Sequence, residues 1–300
     1  MNQTTLRKSY HFEGKGLHTG KLSHMTLKPA AAGEGIVFVR VDQGGAAIHA
    51  LAGNVSSTSR STELSEGKAS VQTVEHILSA LTGLGVDNAV IELDSKEVPI
   101  LDGSARPYVE AIAPDGLQEF DVPRKWVEIP EAVEFRNEKT GTFIKITPAE
   151  TFSLDVTIDF NSRVLGVQTV HWEMSQDYLS EVAPCRTFCF LHEIELLAAV
   201  GLVKGGDVEN AIIIVEKPVS ARRLALLSKR FHQPELSVTP EGYLSNLTLR
   251  FPDECGRHKL LDLMGDLRLC GGFLKAHVEA YKPGHGANTA AAKKVVEIIK

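Results

Sequence analysis

Hydrophobic and polar positions in roughly the first 120 residues predict short strands separated by helices. Apolar residues recur at helical spacing through SVQTVEHILSALTGLG (70–85), with two glycines near its end. The stretch LDGSARPYVEAIA (101–113) predicts a turn followed by a helix, with Asp102 or Ser104 available as its cap. Alternating or continuous apolar runs predict strands at HMTLKP (24–29), GIVFVRVD (35–42) and NAVIELD (88–94).

The second half of the chain begins with strands and continues with helices. An amphipathic helix is predicted over LHEIELLAAVGLVKGG (191–206). A further helix is predicted over DECGRHKLLDLMGDLRLCGG (253–272), with Asp253 as its cap and Gly271 as its stop. Residues 217–250 are basic and irregular, and their pattern favours no element. Strands are predicted at KWVEI (125–129), AVEFRN (132–137), GTFIKITP (141–148), FSLDVTIDF (152–160), VQTVHWEM (167–174) and AIIIVE (211–216).

Helical patterning stops near QEFDVPRKWVEIP (118–130), and this change predicts a domain boundary. We divide the chain into an N-terminal α+β domain, residues 1–121, and a C-terminal α+β domain, residues 122–300. A chain of 300 residues is long enough for about two domains. Each part shows strands followed by helices that pack on one side, which is typical of the α+β class.

Composition and charge narrow the possible partners. The chain has 43% hydrophobic and 23% charged residues, which is typical of a globular protein. Its formal net charge of −6 argues against a nucleic-acid partner, although a local basic pocket for one phosphate stays possible. Four cysteines without a Cys-x-x-Cys pair give little support to a thiolate zinc site or a disulfide framework. The chain shows neither an apolar signal at its start nor the roughly 20 apolar residues of a membrane span, so we expect a cytoplasmic protein.

One predicted helix combines apolar residues with a stripe of charged ones. In RHKLLDLMGD, His258, Asp262 and Asp266 follow one another at intervals of four residues and share one face. Charged side chains in an apolar setting are costly unless they are paired or bind a metal. His258 and Asp262 can therefore chelate one ion. The alternative is an exposed histidine with two solvated acids on an amphipathic helix.

A second candidate cluster, Glu75–His76, lies on the helix predicted over residues 70–85. His76 can act as a ligand while Glu75 points about 100° away around the helix; the alternative is a core histidine beside a surface acid. Three known zinc patterns, His-x-x-Glu-His, His-Glu-x-x-His and the deaminase signature, nearly match the chain and fail. What remains is a split site of His76, His258 and Asp262, and three such ligands with an open position are typical of catalytic zinc. Glu75 could then serve as general base.

Two further residues could complete such a site. His285 lies between glycines in KPGHGANT, a context that favours a turning loop, and surface exposure is the simpler explanation. If His285 faces the metal and Asp266 holds its ring, the stabilised imidazolium can act as a general acid. Thr187 in CRTFCF offers a hydroxyl group to an oxyanion, although a strand threonine needs no such role.

Substrate contacts are candidates at three more positions. Lys259 follows a possible ligand directly and could contact an anionic substrate, although a helix lysine is usually only solvated. EGKGLHTG predicts a strand–turn–strand connection with His18 and Thr19 at its tip. It is not a phosphate-binding loop, because no Ser or Thr follows its Gly-Lys pair.

Seven short motifs are spread over nearly the whole chain: GKGLHTG, TVEHILSAL, VPILDGSA, RTF, GGDVENAI, RHKLLDLMGDL and PGH. Together, and in this order, they resemble the bacterial UDP-3-O-acyl-N-acetylglucosamine deacetylases. The resemblance implies one zinc ion (Zn2+) and a small-molecule substrate, an acylated UDP-N-acetylglucosamine that loses its acetyl group in lipid A biosynthesis. It also implies two similar layered α+β sandwich domains, with the active site in the cleft between them and a hydrophobic passage for the acyl chain.

The resemblance implies roles for individual residues as well. Zinc ligands are implied at His76, His258 and Asp262. Catalytic roles are implied for Glu75 as general base, His285 as general acid, Asp266 as the partner of that acid, and Thr187 as support for the oxyanion. Substrate contacts are implied for Lys259 and Phe188.

Two features depart from the commonest members of that family. Residues 217–250 are longer and resemble the form found in relatives with a fused dehydratase domain, so a dehydratase, fused or separate, is an expected partner. IDFNSR (158–163) lacks a histidine that many relatives carry after this strand. Rival functions are a non-catalytic nucleotide-sugar binding protein, a zinc amidase acting on another N-acyl sugar, and a metal-free structural protein. Glu75 and His285 favour catalysis, since a binding protein needs neither.

Overall fold

The structure is a computed structural model that describes residues 1–194, 210–230 and 235–300. The α-helices with described bounds are α1 (Glu75–Leu84), α2 (Arg106–Ile112), α3 (Tyr178–Glu181), α4 (Ala221–Arg230), α5 (Glu254–Leu267) and α6 (His285–Ile298). Strands of the first half are β1 (Asn2–Leu6), β2 (Tyr10–Lys15), β3 (Leu22–Pro29), β4 (Ile36–Arg40), β5 (Ala46–His49), β6 (Val55–Ser57), β7 (Glu63–Glu66), β8 (Ala69–Gln72), β9 (Ala89–Leu93) and β10 (Leu117–Pro123). Strands of the second half are β11 (Trp126–Glu128), β12 (Val133–Asn137), β13 (Thr142–Pro148), β14 (Ser153–Asp159), β15 (Val167–Glu173), β16 (Phe188–Phe190), β17 (Ile212–Ile214) and β18 (Phe273–Tyr281).

Two mixed sheets share one strand topology. The first has the order β2-β3-β9-β4-β5, and the second has the order β12-β13-β18-β14-β15, with β11 added beside β18. In each sheet the central strand, β9 or β18, is antiparallel to one neighbour and parallel to the other, and both outer pairs are antiparallel. Helices α1 and α5 precede the central strands, and α2 and α6 follow them. The predicted α+β class with two similar units is therefore confirmed.

Helices α1 and α5 pack against each other where the two units meet. Their close approach requires a glycine at position 265, because a Cβ atom there would lie 2.0 Å from the backbone oxygen of Glu75. No side chain fits such a gap in a closely packed interior. The crossing places Glu75 and His76, at the start of α1, against the part of α5 that carries Asp262 and Asp266.

We expect Gly265→Ala to lower the free energy of unfolding by about 1–3 kcal/mol, because the added methyl group must push two backbones apart. Urea unfolding measures this change. The matched control is Gly286→Ala in α6, where the nearest heavy atom to an added Cβ would be Thr58 Oγ1 at 3.5 Å. If Gly265→Ala were as stable as Gly286→Ala, the close crossing would not be required for the fold.

Both units contribute to one continuous hydrophobic core. Phe38 and Tyr108 from the first unit and Leu261 and Met264 from the second are fully buried in it. Burial of side chains of this size stabilises a fold by roughly 1.5–3 kcal/mol each. A separate apolar cluster lies around β17 and α4 and includes Leu191, Ile194, Ile213, Val215, Leu227, Leu236 and Leu244. Among the residues that the structure describes, no helix has both the length and the apolar character needed to cross a bilayer.

The predicted strands are confirmed, whereas two helical segments differ from their predictions. Residues 69–72 form a strand that pairs with β7, and Thr73 then has a positive φ of 61°. Helix α1 therefore begins at Glu75 rather than at residue 70. The prediction of a loop around His285 is wrong, because His285 is the first residue of α6.

Three other predictions have mixed outcomes. The cap expected before α2 is not confirmed, because the residue at the cap position is Ala105, which has no side-chain cap. Ser104 and Asp102 instead stabilise the turn before it: the Ser104 hydroxyl accepts the N–H of Arg106 (3.2 Å), and Asp102 accepts the N–H of Ser104 (3.0 Å). The helix predicted over residues 191–206 lies outside the described residues from position 195 onward. The predicted domain boundary falls inside β10, and a division of the chain at that point stays a prediction.

Candidate metal and catalytic site

Three side chains form a compact ligand set at the crossing of α1 and α5. His76 comes from the first turn of α1, and His258 and Asp262 lie one turn apart on α5. One ligand atom from each residue lies within 4.8 Å of the other two. The Nε2 atoms of His76 and His258 lie 3.6 Å and 3.4 Å from the same atom, Asp262 Oδ1. All three residues are buried, so the set is shielded from bulk water.

The nitrogen and oxygen atoms that these three side chains direct toward one another are suited to bind a metal ion. The Nδ1–H of His258 donates to the backbone carbonyl of Cys185 (3.1 Å), which leaves Nε2 as the free lone pair. Burial lowers the pKa of His258 to about 3, against the opposing charge of Asp262, so the ring is neutral. Asp262 Oδ1 is buried and has no hydrogen-bond partner. Such an oxygen is costly unless a cation faces it, and two imidazoles and a carboxylate are therefore well suited to a divalent ion.

The second oxygen of Asp262 pairs with Lys259, whose Nζ lies 2.6 Å from Oδ2. Burial would raise the pKa of Asp262, but its contacts with His258 and Lys259 hold that pKa well below the ordinary value. The same Nζ lies 5.5 Å from the ring centroid of Phe188, and that ring lies 6.2 Å from the ring of His258. Lys259 and Phe188, both predicted substrate contacts, therefore lie next to the ligand set.

Glu75 lies beside the ligand set with one carboxylate oxygen anchored. Oε2 accepts the backbone N–H of Thr62 (3.0 Å), and Oε1 lies 3.8 Å from Nε2 of His285. Burial raises the pKa of Glu75 above the ordinary value, although His285 and His76 oppose this effect. A carboxylate with a raised pKa is suited to accept a proton near neutral pH.

Asp266 and His285 form a hydrogen-bonded pair on the other side of Glu75. The Nδ1–H of His285 donates to Asp266 Oδ2 (3.0 Å), and the same oxygen accepts the side-chain amide of Asn288 (2.9 Å). Burial would lower the pKa of His285, but the charges of Asp266 and Glu75 outweigh it and raise that pKa to about 9. The ring is therefore protonated at neutral pH and can act as an acid through Nε2.

The turn between β2 and β3 reaches this region from the first unit. His18 is buried, and neither ring nitrogen has a hydrogen-bond partner. Burial lowers the pKa of His18; Glu97 opposes this effect and His285 adds to it. The fully buried Glu97 holds the turn, because its carboxylate accepts the backbone N–H groups of His18 (2.9 Å) and Thr19 (2.8 Å).

Thr187 follows a backbone segment that is fastened to α5. The carbonyl of Cys185 contacts His258, and the next residue, Arg186, forms a buried ion pair with Glu254 in the first turn of α5 (2.8 Å). The N–H of Thr187 donates to the carbonyl of Gly103 at 2.8 Å. The backbone of Thr187 is thus tied to both units, within two residues of the carbonyl that orients a candidate ligand.

Three residues that contact the site carry no signal in the sequence pattern: Thr62, Glu97 and Asn288. Asn288 lies three residues after His285 and shares its face on α6, so recognising that helix would have marked it. Thr62 and Glu97 contact groups that are distant in the chain, and no local pattern could mark them.

The chain as a whole matches one family model. The model is LpxC, described as UDP-3-O-acyl N-acetylglycosamine deacetylase, and it matches residues 3–231 and 222–297. The chain belongs to this family. The resemblance inferred from the seven motifs is thereby confirmed.

Named members of the LpxC family are similar to the chain over its length. The bifunctional enzyme LpxC/FabZ of Porphyromonas gingivalis is 40% identical over 299 residues, which cover 99% of this chain and 65% of that protein. The bifunctional enzyme LpxC/FabZ of Bacteroides thetaiotaomicron is 40% identical over 301 residues, which cover 65% of its length. The UDP-3-O-acyl-N-acetylglucosamine deacetylase of Trichormus variabilis is 39% identical, and the match covers 99% of both chains. The chain therefore spans 65% of the length of these two bifunctional relatives, slightly less than two thirds.

Proposed function

We propose that this chain hydrolyses the acetamide group of UDP-3-O-acyl-N-acetylglucosamine, giving UDP-3-O-acyl-glucosamine and acetate, as a step of lipid A biosynthesis. One observation carries the chemistry: Glu75 Oε1 and His285 Nε2 lie 3.8 Å apart beside a buried ligand set whose atoms lie within 4.8 Å of one another. Membership of the LpxC family and the names of its members support the substrate.

His76, His258 and Asp262 would hold the ion, and we take it to be Zn2+ because two imidazoles, one carboxylate and an open position suit catalytic zinc. When bound, zinc supplies Lewis acidity, which polarises a carbonyl group and brings the pKa of a bound water toward about 7. The unpartnered Oδ1 of Asp262 supports this assignment from within the chain.

Glu75 acts as the general base in this proposal. The N–H of Thr62 occupies Oε2, so Oε1 is the atom that takes the proton from the attacking water. The water oxygen then bonds to the acetamide carbon, and the carbonyl electron pair moves onto its oxygen. The hydroxyl of Thr187 is assigned to that oxygen as a donor, which stabilises the developing charge.

His285 acts as the general acid. As the C–N bond breaks, its Nε2 proton passes to the glucosamine nitrogen, and acetate and a free amine leave. Asp266 holds the ring through Nδ1–H, and a pKa of about 9 keeps the ring protonated until that step. Base and acid are thus two neighbouring groups whose surroundings fit them for opposite proton transfers.

Substrate recognition involves both units in this proposal. Lys259 contacts the anionic part of the substrate, the ring of Phe188 packs against the sugar, and the turn with His18 and Thr19 contacts the substrate from the first unit. A hydrophobic passage, as the family resemblance implies, receives the acyl chain, because burial of an aliphatic tail is favourable.

A dehydratase, fused or separate, is the protein partner that we propose. Its support is the relatives that are named bifunctional enzyme LpxC/FabZ. We place the reaction in the cytoplasm, in keeping with four free cysteines and the reducing conditions of that compartment.

The test is acetate release from UDP-3-O-acyl-N-acetylglucosamine by the isolated protein, after chelation, and after the return of about one equivalent of Zn2+. We expect activity to be lost on chelation and recovered with zinc, because the ligand set is complete within the chain. Calorimetric binding of the uncleaved substrate is measured in parallel. Binding without acetate release by the zinc-loaded protein would favour a nucleotide-sugar binding protein instead.

A further inference from the structure

We propose that Thr62 is a positioning residue that fixes the separation between the base and the acid of the reaction. The inference rests on the proposed function, since it takes Glu75 and His285 in those roles. Thr62 lies in the short connection between β6 and β7, far along the chain from α5 and α6. Its side chain is fully buried, and its hydroxyl is engaged by Asp266.

Two hydrogen bonds connect Thr62 to both carboxylates of the site. Its backbone N–H donates to Glu75 Oε2 (3.0 Å), and its hydroxyl donates to Asp266 Oδ1 (2.5 Å). Glu75 belongs to the first unit and Asp266 to the second. One residue therefore spans the boundary between the helix that carries the base and the helix that carries the partner of the acid.

The hydroxyl bond sets the orientation of Asp266. With Thr62 on Oδ1, the other oxygen is left for the His285 ring and for the Asn288 amide, at 3.0 Å and 2.9 Å. Without the hydroxyl, Oδ1 would be a buried carboxylate oxygen without a donor, which costs free energy. Rotation of the carboxylate toward its remaining donors would relieve that cost and displace the His285 ring.

Thr62 is itself held firmly on the base side. Its carbonyl accepts the N–H of Thr73 (3.0 Å), and Thr73 lies two residues before Glu75 with a positive φ of 61°. The hydroxyl of Thr62 is therefore fixed relative to the first turn of α1. Because Asp266 binds both this hydroxyl and the His285 ring, the ring is held relative to α1 as well. Its Nε2 lies 3.8 Å from Glu75 Oε1.

The test compares Thr62→Val, which keeps the shape and removes the hydroxyl, with Thr62→Ser, which keeps the hydroxyl. In zinc-loaded protein we expect Thr62→Val to lower kcat by about 10- to 100-fold with KM changed less than about 2-fold, because the loss concerns orientation and not binding. Thr62→Ser should keep kcat within about 3-fold of the wild type. Thr62→Ala removes the same hydroxyl without crowding the site and should show the same loss of kcat as Thr62→Val.

A second readout does not depend on activity. In protein with 15N-labelled histidine, the downfield proton of the His285 Nδ1–H, assigned with His285→Gln, reports its hydrogen bond to Asp266. We expect this resonance to move in Thr62→Val and Thr62→Ala and to stay in place in Thr62→Ser.

The two readouts separate this inference from the proposed function. Wild-type protein that binds zinc but releases no acetate contradicts the proposed function. A wild type that is active, with Thr62→Val or Thr62→Ala equally active, contradicts the positioning role alone. Equal losses of kcat in Thr62→Ser and Thr62→Val, or a His285 resonance unmoved by loss of the hydroxyl, would also overturn it.

Discussion

Glu75→Gln should lower the turnover of acetamide hydrolysis by about 10²- to 10⁴-fold while zinc stays bound, because the variant removes the proposed proton acceptor and no metal ligand. Glutamine keeps the shape of the side chain, and its carbonyl oxygen can still accept the N–H of Thr62. The amide nitrogen then takes the place of Oε1, where it has no basic lone pair to offer a water molecule.

Steady-state acetate release measures the turnover of Glu75→Gln, and metal analysis of the same preparation measures its bound zinc. The matched control is Glu110→Gln, at an exposed residue of α2 that forms an ion pair with Arg106 one turn earlier. We expect that control to turn over like the wild type. If Glu75→Gln retained more than about a tenth of wild-type kcat, the assignment of the base would be wrong.

Glu254→Gln should lower the free energy of unfolding by about 3–5 kcal/mol, the largest effect on stability that we expect. The Glu254 carboxylate is fully buried and binds Arg186 through both oxygens, at 2.8 Å and 3.1 Å. It also accepts the backbone N–H of Arg250 at 2.6 Å. An amide at this position leaves the buried guanidinium of Arg186 without its counter-charge, and that is the costly outcome for a buried pair.

Urea unfolding of the metal-free proteins measures this loss without a contribution from metal binding. Glu110→Gln again serves as control, since its ion pair with Arg106 is exposed and should contribute less than about 1 kcal/mol. A loss of less than about 1 kcal/mol in the free energy of unfolding of Glu254→Gln would contradict this prediction. Water or another acceptor would then have replaced the carboxylate as the partner of Arg186.

The sequence alone predicted about half of the described strands and the candidate ligand set, and each of these predictions has its own physical reason. His258 and Asp262 share a helix at a spacing of four residues, so their proximity follows from helix geometry. The alternation of apolar residues marked β3, β9 and β13 because one face of each sheet is buried. His76 could be joined to them only as a hypothesis, since the crossing of α1 and α5 is a tertiary contact.

What the sequence did not predict depends on contacts between distant segments. The start of α1 was misplaced because residues 69–72 pair with β7, and pairing with a neighbouring strand overrides a helical pattern. Helix α6 went unrecognised because glycines flank His285 at its beginning. Thr62 carries no pattern of its own, and its place between Glu75 and Asp266 exists only in the folded chain.

The shared topology of the two sheets bears on how the candidate ligand set is divided between the two units. His76 and His258 lie on helices that occupy equivalent positions in the two units, each directly before a central strand. The two helices differ in their other polar residues, with Glu75 on α1 and Asp266 on α5. Neither unit by itself holds the complete candidate ligand set, so a change that separates the units would disassemble it.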